Sequence, residues 1–566
     1  MTAISLLLGA ASAQAATIAV TSNSDRITNS ATRGCTLREA IESLNTGTVV
    51  AGCVNSGGTF GSSDTVDLTG RSRLIRLRGE QIDINAPMTI NGPGAHKLRI
   101  SGKNVSRIFR VLHGSPTTIS GLTLTQGLEY EGGAVMSFSD FTLTDCIVSE
   151  NAANQYGGGV FVSGGTATLI NSTVSGNSLA DPGSFGGGVT ATNVTLTNST
   201  VSGNSAANGG GVSTNGGNLT LTNSTVSGNA ATAAAGGVSV LGGNVTLTNS
   251  TVSGNSAAST GGLEVVGNAT LINSTVAFND STNNGFHGVY RSGTLTLTNS
   301  LIVGTGTGCH APADTNTASL ATDASCTGAA TPIDGITGIN LGPLADNGGT
   351  TQTHALLQGS VAIDTGNAGA CQATDQRGAT RALDGDNSGS SVCDVGAFER
   401  ANLVAAALAC PMAVLPCITH TRPASATLRT SASGVSGSLS LRNVNVSAGD
   451  IADPATSPYR VCAYVDGSLV DEWGAAAGDP DLTLANGTLR YRSRTNELAN
   501  LMVKPGAGKG QIRARLKNGP ALPLGVTTAF TTQFVNNNAC WSQTWTPSQI
   551  RRNDDTRFQA LDRDKH

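Results

Sequence analysis

Residues 383–394 read LDGDNSGSSVCD, placing Asp384, Asp386 and Ser388 at positions 1, 3 and 5 of a turn whose sixth residue is Gly389. Oxygen-bearing side chains on alternate residues, followed by a glycine for the sharp bend, are how a calcium-binding loop begins. The closing glutamate is missing: Val395 stands at position 12 and Asp394 beside it supplies the remaining carboxylate. Ca2+ is the one cofactor that spacing offers, with Asp384, Asp386, Ser388 and Asp394 as candidate ligands. The same composition also makes a plain Asp/Asn/Gly turn without an ion.

A second acidic group is Glu129, Glu131, Asp140, Asp145 and Glu150. A glycoside hydrolase needs two carboxylates about 5–9.5 Å apart. A polysaccharide lyase needs a base to take a proton and cations to neutralise a uronate. Between Arg110 and Arg291 there is no Lys or Arg, and from Asn151 to Asn279 the only carboxylates are Asp181 and Glu264. His113 and His287 each precede a glycine but have no neighbouring aspartates in a motif. The early acids therefore read first as a solvated edge and second as a remnant carboxylate pair or cation site.

What must position these groups is a repeat. The chain has 73 Gly, 12% charged and 4% aromatic residues in 566, against about 25% charged in ordinary domains. Its net charge of −4 carries no basic excess for nucleic acid. Copies of NSTVSGN align on Asn171, Asn198, Asn223, Asn249, Asn273 and Asn299, with Asp145 one copy earlier, at steps of 24 to 27 residues. Such a period marks a solenoid. Before each Asn, apolar residues alternate with Thr or Ile, the pattern of a strand with one face inward. Coils of about 26 residues with two or three short strands each describe a parallel β-helix, stacked at ~4.8 Å. Asp181 and Glu264 then lie roughly 14 Å apart, too far for a catalytic pair.

Six residues after the first Asn stands another, giving Asn151, Asn177, Asn204, Asn229, Asn255 and Asn279. Stacked one per coil, these form an amide ladder. The NST triplets also fit glycosylation acceptors, but their coil period marks them as structural first. Gly-Gly-Val runs fit tight corners. A solenoid needs caps on its open ends. CTLREAIESLNT supplies a capping box, Thr36 with Glu39, and an apolar helix face of Leu37, Ala40, Ile41 and Leu44.

The chain opens with an apolar run, Ile4 to Ala11, and the small-residue triplet Ala13-Gln14-Ala15, which predicts a signal peptide over 1–15 and export. No run approaches the ~20 apolar residues of a membrane span. Cysteines fall into local pairs: Cys35 with Cys53, Cys309 with Cys326, Cys371 with Cys393, Cys410 with Cys417, and Cys462 with Cys540 bracketing the last domain. Disulfides in an oxidising compartment fit this usage. Cys146, at a repeat position otherwise held by Ser, is expected as a free, packed thiol.

Three stretches resemble known families. CTLREAIESLN is similar to the CSLREA N-terminal domain of exported bacterial proteins, and Pro87 to Val111 resembles the strand pair that follows it. GGGV and VSGN resemble the right-handed β-helix repeats of polymorphic outer-membrane proteins. NGGTTQTHALLQGSVAIDTGN, CQATDQRGATR and VCDVGAFE, between Asn347 and Glu399, are similar to the choice-of-anchor Q domain. The resemblance covers roughly 17–400. It implies a secreted or surface-attached right-handed parallel β-helix with no settled activity.

The expected order is a leader (1–15), a CSLREA-like cap (16–84), the β-helix (85–330), a choice-of-anchor Q-like region (331–400), a small β-sandwich (405–545) and a polar tail (546–566). The expected role is an adhesin-like or structural scaffold, secreted or at the cell surface or outer membrane, with glycans or cell-surface components as partners. Two rival readings are a carbohydrate-active enzyme with its site on the early coils, and a structural component of the cell envelope.

Overall fold

The computed structural model describes residues 15–400, except 28–31, 51, 62–63, 284, 328–335, 358, 387 and 390, and beyond them the backbone of strands between 418 and 561. Residues 1–14 of the expected leader, Cys410, Cys417 and the side chains of Cys462 and Cys540 lie outside the described residues. No helix among the described residues is long and apolar enough to cross a membrane.

The fold is a parallel β-solenoid. One coil shows the plan: strands Val212–Asn215, Leu219–Thr222, Thr225–Ser227 and Ala230–Ala234. Each lies in parallel register with its counterpart in the next coil, Val212 on Val238, Leu219 on Val245, Thr225 on Thr251 and Ala230 on Ser256. Each coil thus has four strand positions where the sequence pattern predicts two or three. The first two share a 19-stranded sheet, because Val160–Ile170 and Val189–Thr197 run through both positions without a break. The third position makes an 11-stranded sheet and the fourth a 7-stranded one.

Packing follows from the alternation. Leu219, Leu221 and Val226 are fully buried and stack on Val245, Leu247 and Val252 of the next coil. Two left-handed residues turn the chain on either side of the third strand. The first Asn of each repeat takes one position, from Asn171 at φ 48° to Asn299 at φ 46°, with Asp145 at φ 52°. Asn tolerates this conformation better than most residues. The Gly-Gly-Val corners have a different cause from the one their composition indicates. A Cβ on Gly210 would sit 2.4 Å from the Ala230 carbonyl oxygen, and one on Gly236 2.5 Å from that of Ser256. Close approach of neighbouring backbone, not positive φ, excludes other residues there.

The solenoid begins before residue 85: Thr17–Ala19 pairs with Asp64–Asp67, which pairs with Met88–Asn91. The cap helix, Leu37–Thr46, has the complete capping box, Thr36 with Glu39, and ends at left-handed Gly47. Its apolar face, Leu37, Ala40, Ile41 and Leu44, is at most 4% exposed and joins the solenoid core. Disulfides join Cys35 to Cys53, Cys309 to Cys326 and Cys371 to Cys393.

Stacking ends at Leu320–Ala321. After it, residues 336–382 and 392–399 run back along the third sheet, where Ile339, Leu356, Ala362, Ile363 and Val395 bury against Ala277, Leu301 and Val303. The second unit, residues 383–391 and 400–566, contains two sheets of five and eight strands. Their pairings are antiparallel except for Ile418–Thr419 against Cys540–Trp545. The backbones of Cys462 and Cys540 lie on strands that flank one common strand, Phe530–Val535.

Candidate functional site

The asparagine ladder is continuous. Nδ2 of Asn151 donates to Oδ1 of Asn177, and the same bond of 2.9 Å links Asn177 to Asn204, Asn204 to Asn229, Asn229 to Asn255 and Asn255 to Asn279. Each Oδ1 beyond Asn151 also accepts the backbone N–H of the preceding ladder residue, and each Nδ2 also donates to a carbonyl of the preceding coil, as Asn204 does to Val174. The six side chains are at most 4% exposed. Asn177, Asn204, Asn229 and Asn255 make all four side-chain hydrogen bonds within the protein, and buried amides satisfied in this way stabilise and cannot act on a ligand.

A second ladder runs beside it. The N–H of Ser172 donates to Ser199 Oγ, and the pattern repeats through Ser224, Ser250, Ser274 and Ser300. Cys146 occupies the first place of this series and is free and buried. Its amide donates to Ser172 Oγ at 3.1 Å, and burial pushes its thiol up to about 11.

The early acids are spread around the coil. Glu129 and Glu131 lie on Leu128–Glu131 in the 7-stranded sheet. Asp140 precedes Phe141–Thr144 and its Oδ1 accepts the Thr166 N–H at 2.8 Å. Asp145 and Glu150 hold left-handed turn positions at φ 52° and 58°. The cation among them is Arg107, which donates to the carbonyls of Glu131 and Gly132 and to Gln81, and burial lowers its pKa. Arg110 pairs with Asp83. His113 packs on Phe138 with ring centroids 5.0 Å apart, while His287 Nδ1 faces the Asn279 carbonyl at 3.1 Å.

Glu264 is the carboxylate whose setting the sequence hides. It lies on Leu263–Val266 in register with Ser239 and Tyr290. Desolvation raises its pKa, and its Oε2 is buried without a hydrogen-bond partner among the described residues. Tyr290 belongs to an aromatic group with Phe286 and His310, with centroids 4.8 to 5.5 Å apart. Five coil steps earlier in the same register column stands Phe161, stacked on Tyr156 at 5.3 Å. The register column, which no local motif betrays, is the signal that aligns them.

The segment after the last coil is a clamp, and Thr351, His354, Gln376 and Ala397 are among the residues that dock it. Gln376 Nε2 donates to Thr225 Oγ1, and its Oε1 accepts from Thr251 Oγ1. Thr351 Oγ1 donates to the Asn223 carbonyl, and the Ala397 N–H donates to Thr275 Oγ1. His354 bridges Ser253 Oγ at 2.7 Å and the Gly342 carbonyl at 2.8 Å, and burial lowers its pKa. Thr225, Thr251 and Thr275 are at most 2% exposed beneath the clamp, whereas Thr173 and Thr200, at the same repeat position, are half-buried.

In the candidate calcium loop, the Ser388 N–H donates to Asp384 Oδ1 at 3.1 Å and to Asp386 Oδ1 at 2.9 Å, and the Gly389 N–H donates to Asp384 Oδ2. The two carboxylates converge on one side of the turn. Asp394 has an interior role instead: it is fully buried, its Oδ1 accepts the Asp364 N–H and its own N–H donates to Glu399 Oε2. Both carboxylates already cap the turn.

Solenoid, ladder and clamp define an all-β parallel β-solenoid protein with a lateral clamp. Its fold is similar to a solved structure, pectate lyase Pel9A, at 15% identity and a TM-score of 0.35, covering 60% of this chain and 88% of that one. No protein-family model matches the sequence. No curated protein matches it either.

Proposed function

We propose that this chain is a non-catalytic scaffold, exported and displayed at the cell surface, whose outer faces hold glycans without cutting them. The asparagine ladder carries this reading: from Asn151 to Asn279 a buried amide repeated once per coil makes its hydrogen bonds to protein. The partly exposed aromatics Tyr156, Phe161, Phe286 and Tyr290 give glycans a stacking surface. Export is supported by the leader-like start, the three disulfides and the resemblance to CSLREA and choice-of-anchor Q proteins.

A second reading, a glycoside hydrolase, has one observation in its favour. Burial raises the pKa of Glu264, which lies in register with Tyr290, and upward is the direction a general acid needs. Purified protein incubated with neutral and acidic polysaccharides, followed by new reducing ends and unsaturated-uronate absorbance, separates the two. The scaffold reading expects retention without cleavage. Cleavage that disappears in Glu264→Gln overturns it.

A further inference from the structure

The first coils carry a cationic cleft. Arg73–Arg76 and Leu98–Ser101 are parallel neighbours with Arg76 opposite Ser101. Ile75 and Leu77 are fully buried, and this alternation sends Arg76 and Arg78 outward. Lys103 follows two residues after Ser101 on the next coil, in a left-handed conformation at φ 60° and exposed. With Asn23, Ser24, Asp25, Leu74 and Leu77, these three cations line a cleft of about 550 Å³, well within the ~300–1,000 Å³ of small-ligand sites.

The lining carboxylate does not neutralise them. Asp25 is held by Arg38 at 2.9 and 3.0 Å and accepts the backbone N–H of Arg78 at 2.8 Å. Arg76, Arg78 and Lys103 make no ion pair among the described residues. Like charges on adjacent strands repel, and the solenoid avoids them elsewhere, with no Lys or Arg from 111 to 290. Three unneutralised cations in one cleft call for an anion from outside.

We propose that this cleft binds a carboxylated glycan strand. Guanidinium forks match carboxylates in two-point geometry. Asn23 and Ser24 supply the amide and hydroxyl groups that sugar hydroxyls use, and Leu74 supplies an apolar patch for a ring face. Single-stranded nucleic acid would need aromatic platforms, and among the described residues no aromatic side chain lines the cleft. The proposal deepens the scaffold reading, and rests on it only in that the glycan is held and not cut.

The test uses the full chain with a short alginate oligosaccharide, its carboxyl-reduced neutral counterpart and an oligodeoxynucleotide, each followed by titration calorimetry. Alginate should bind, more weakly as salt rises from about 50 to about 500 mM, and the neutral form should not. The triple variant R76Q/R78Q/K103Q should weaken binding at least ~10-fold at unchanged melting temperature. R99Q, an exposed arginine that does not line the cleft, should bind as the parent does. Equal binding of the neutral form, an unaffected triple variant, or an oligodeoxynucleotide held as tightly as alginate overturns the proposal. Cleavage of bound alginate would sink the scaffold reading and leave the cleft standing; no binding and no cleavage would sink the cleft alone.

Discussion

Arg381 and Glu399 form an ion pair of 3.1 Å with side chains only 1% and 0% exposed, and Arg381 also donates to Asn249 Oδ1, 132 residues earlier in the solenoid. The pair fastens the clamp to the third sheet from inside, shielded from water and salt. Desolvation lowers the Arg381 pKa, so the site tolerates that charge because Glu399 and neighbouring carbonyls compensate it.

Glu399→Gln leaves the guanidinium buried without its counter-ion, which costs about 3–5 kcal/mol. The expected outcome is a clamp that loosens before the solenoid unfolds, seen as early proteolysis between residues 336 and 399. The double variant R381M/E399L should recover much of the loss, because well-packed apolar replacements of a buried pair are often neutral. Equal damage in single and double variants would mean that the pair acts through shape alone.

Asn204 is a mid-ladder residue. Asn204→Ala leaves the N–H and Nδ2 of Asn177 without their acceptor, and Asn229 Oδ1 and the Val174 carbonyl each without one donor. With each orphaned buried group costing ~1–3 kcal/mol, a loss of at least about 2 kcal/mol in urea unfolding is expected. Asn204→Asp keeps the acceptor and removes the donor, so it should be tolerated better at acidic than at neutral pH. A surface change such as Asn171→Ala, at an exposed turn, should cost less and report mainly the left-handed conformation.

These ladders are where the sequence was most legible, because one coil equals one period and each column is spelled out every 24 to 27 residues. The fourth strand was not, because Ala230–Ala234 has no apolar alternation to read. The clamp was not legible as a clamp. Its bonds join residues such as Thr251 and Gln376, 125 apart, and nothing local encodes that pairing. Glu264 showed as an isolated carboxylate; its burial depends on the register with Ser239 and Tyr290. The basic cleft was equally hidden, since Lys103 meets Arg76 and Arg78 only once the coils stack.

Two buried groups give stability opposite dependences on pH. Burial lowers the His354 pKa, so the unfolded chain takes up its proton first; the associated stability is present above about pH 6.5 and is lost as pH falls toward the folded value. His354→Gln should flatten the melting curve over that range. Burial raises the Glu264 pKa, so the folded state favours the proton and stability declines as pH rises through the carboxylate range. Glu264→Gln should raise the melting temperature at neutral pH and change little under acid conditions. Reversal of either sign would show that the group is solvated.

Asp384 and Asp386 already accept backbone N–H groups from Ser388 and Gly389. The turn should hold without an ion, and EDTA treatment should leave the melting temperature unchanged. A rise on adding Ca2+ that is lost in D384N/D386N would assign the loop as a metal site.

The central claim is that ladder and clamp turn the repeat into one rigid scaffold. Amide hydrogen exchange on the full chain tests it most directly. Residues 141–303 should exchange slowly and together, with Asn151, Asn177, Asn204, Asn229 and Asn255 among the best protected. Fast, coil-by-coil exchange through the ladder, as in a loosely coupled repeat array, would contradict it.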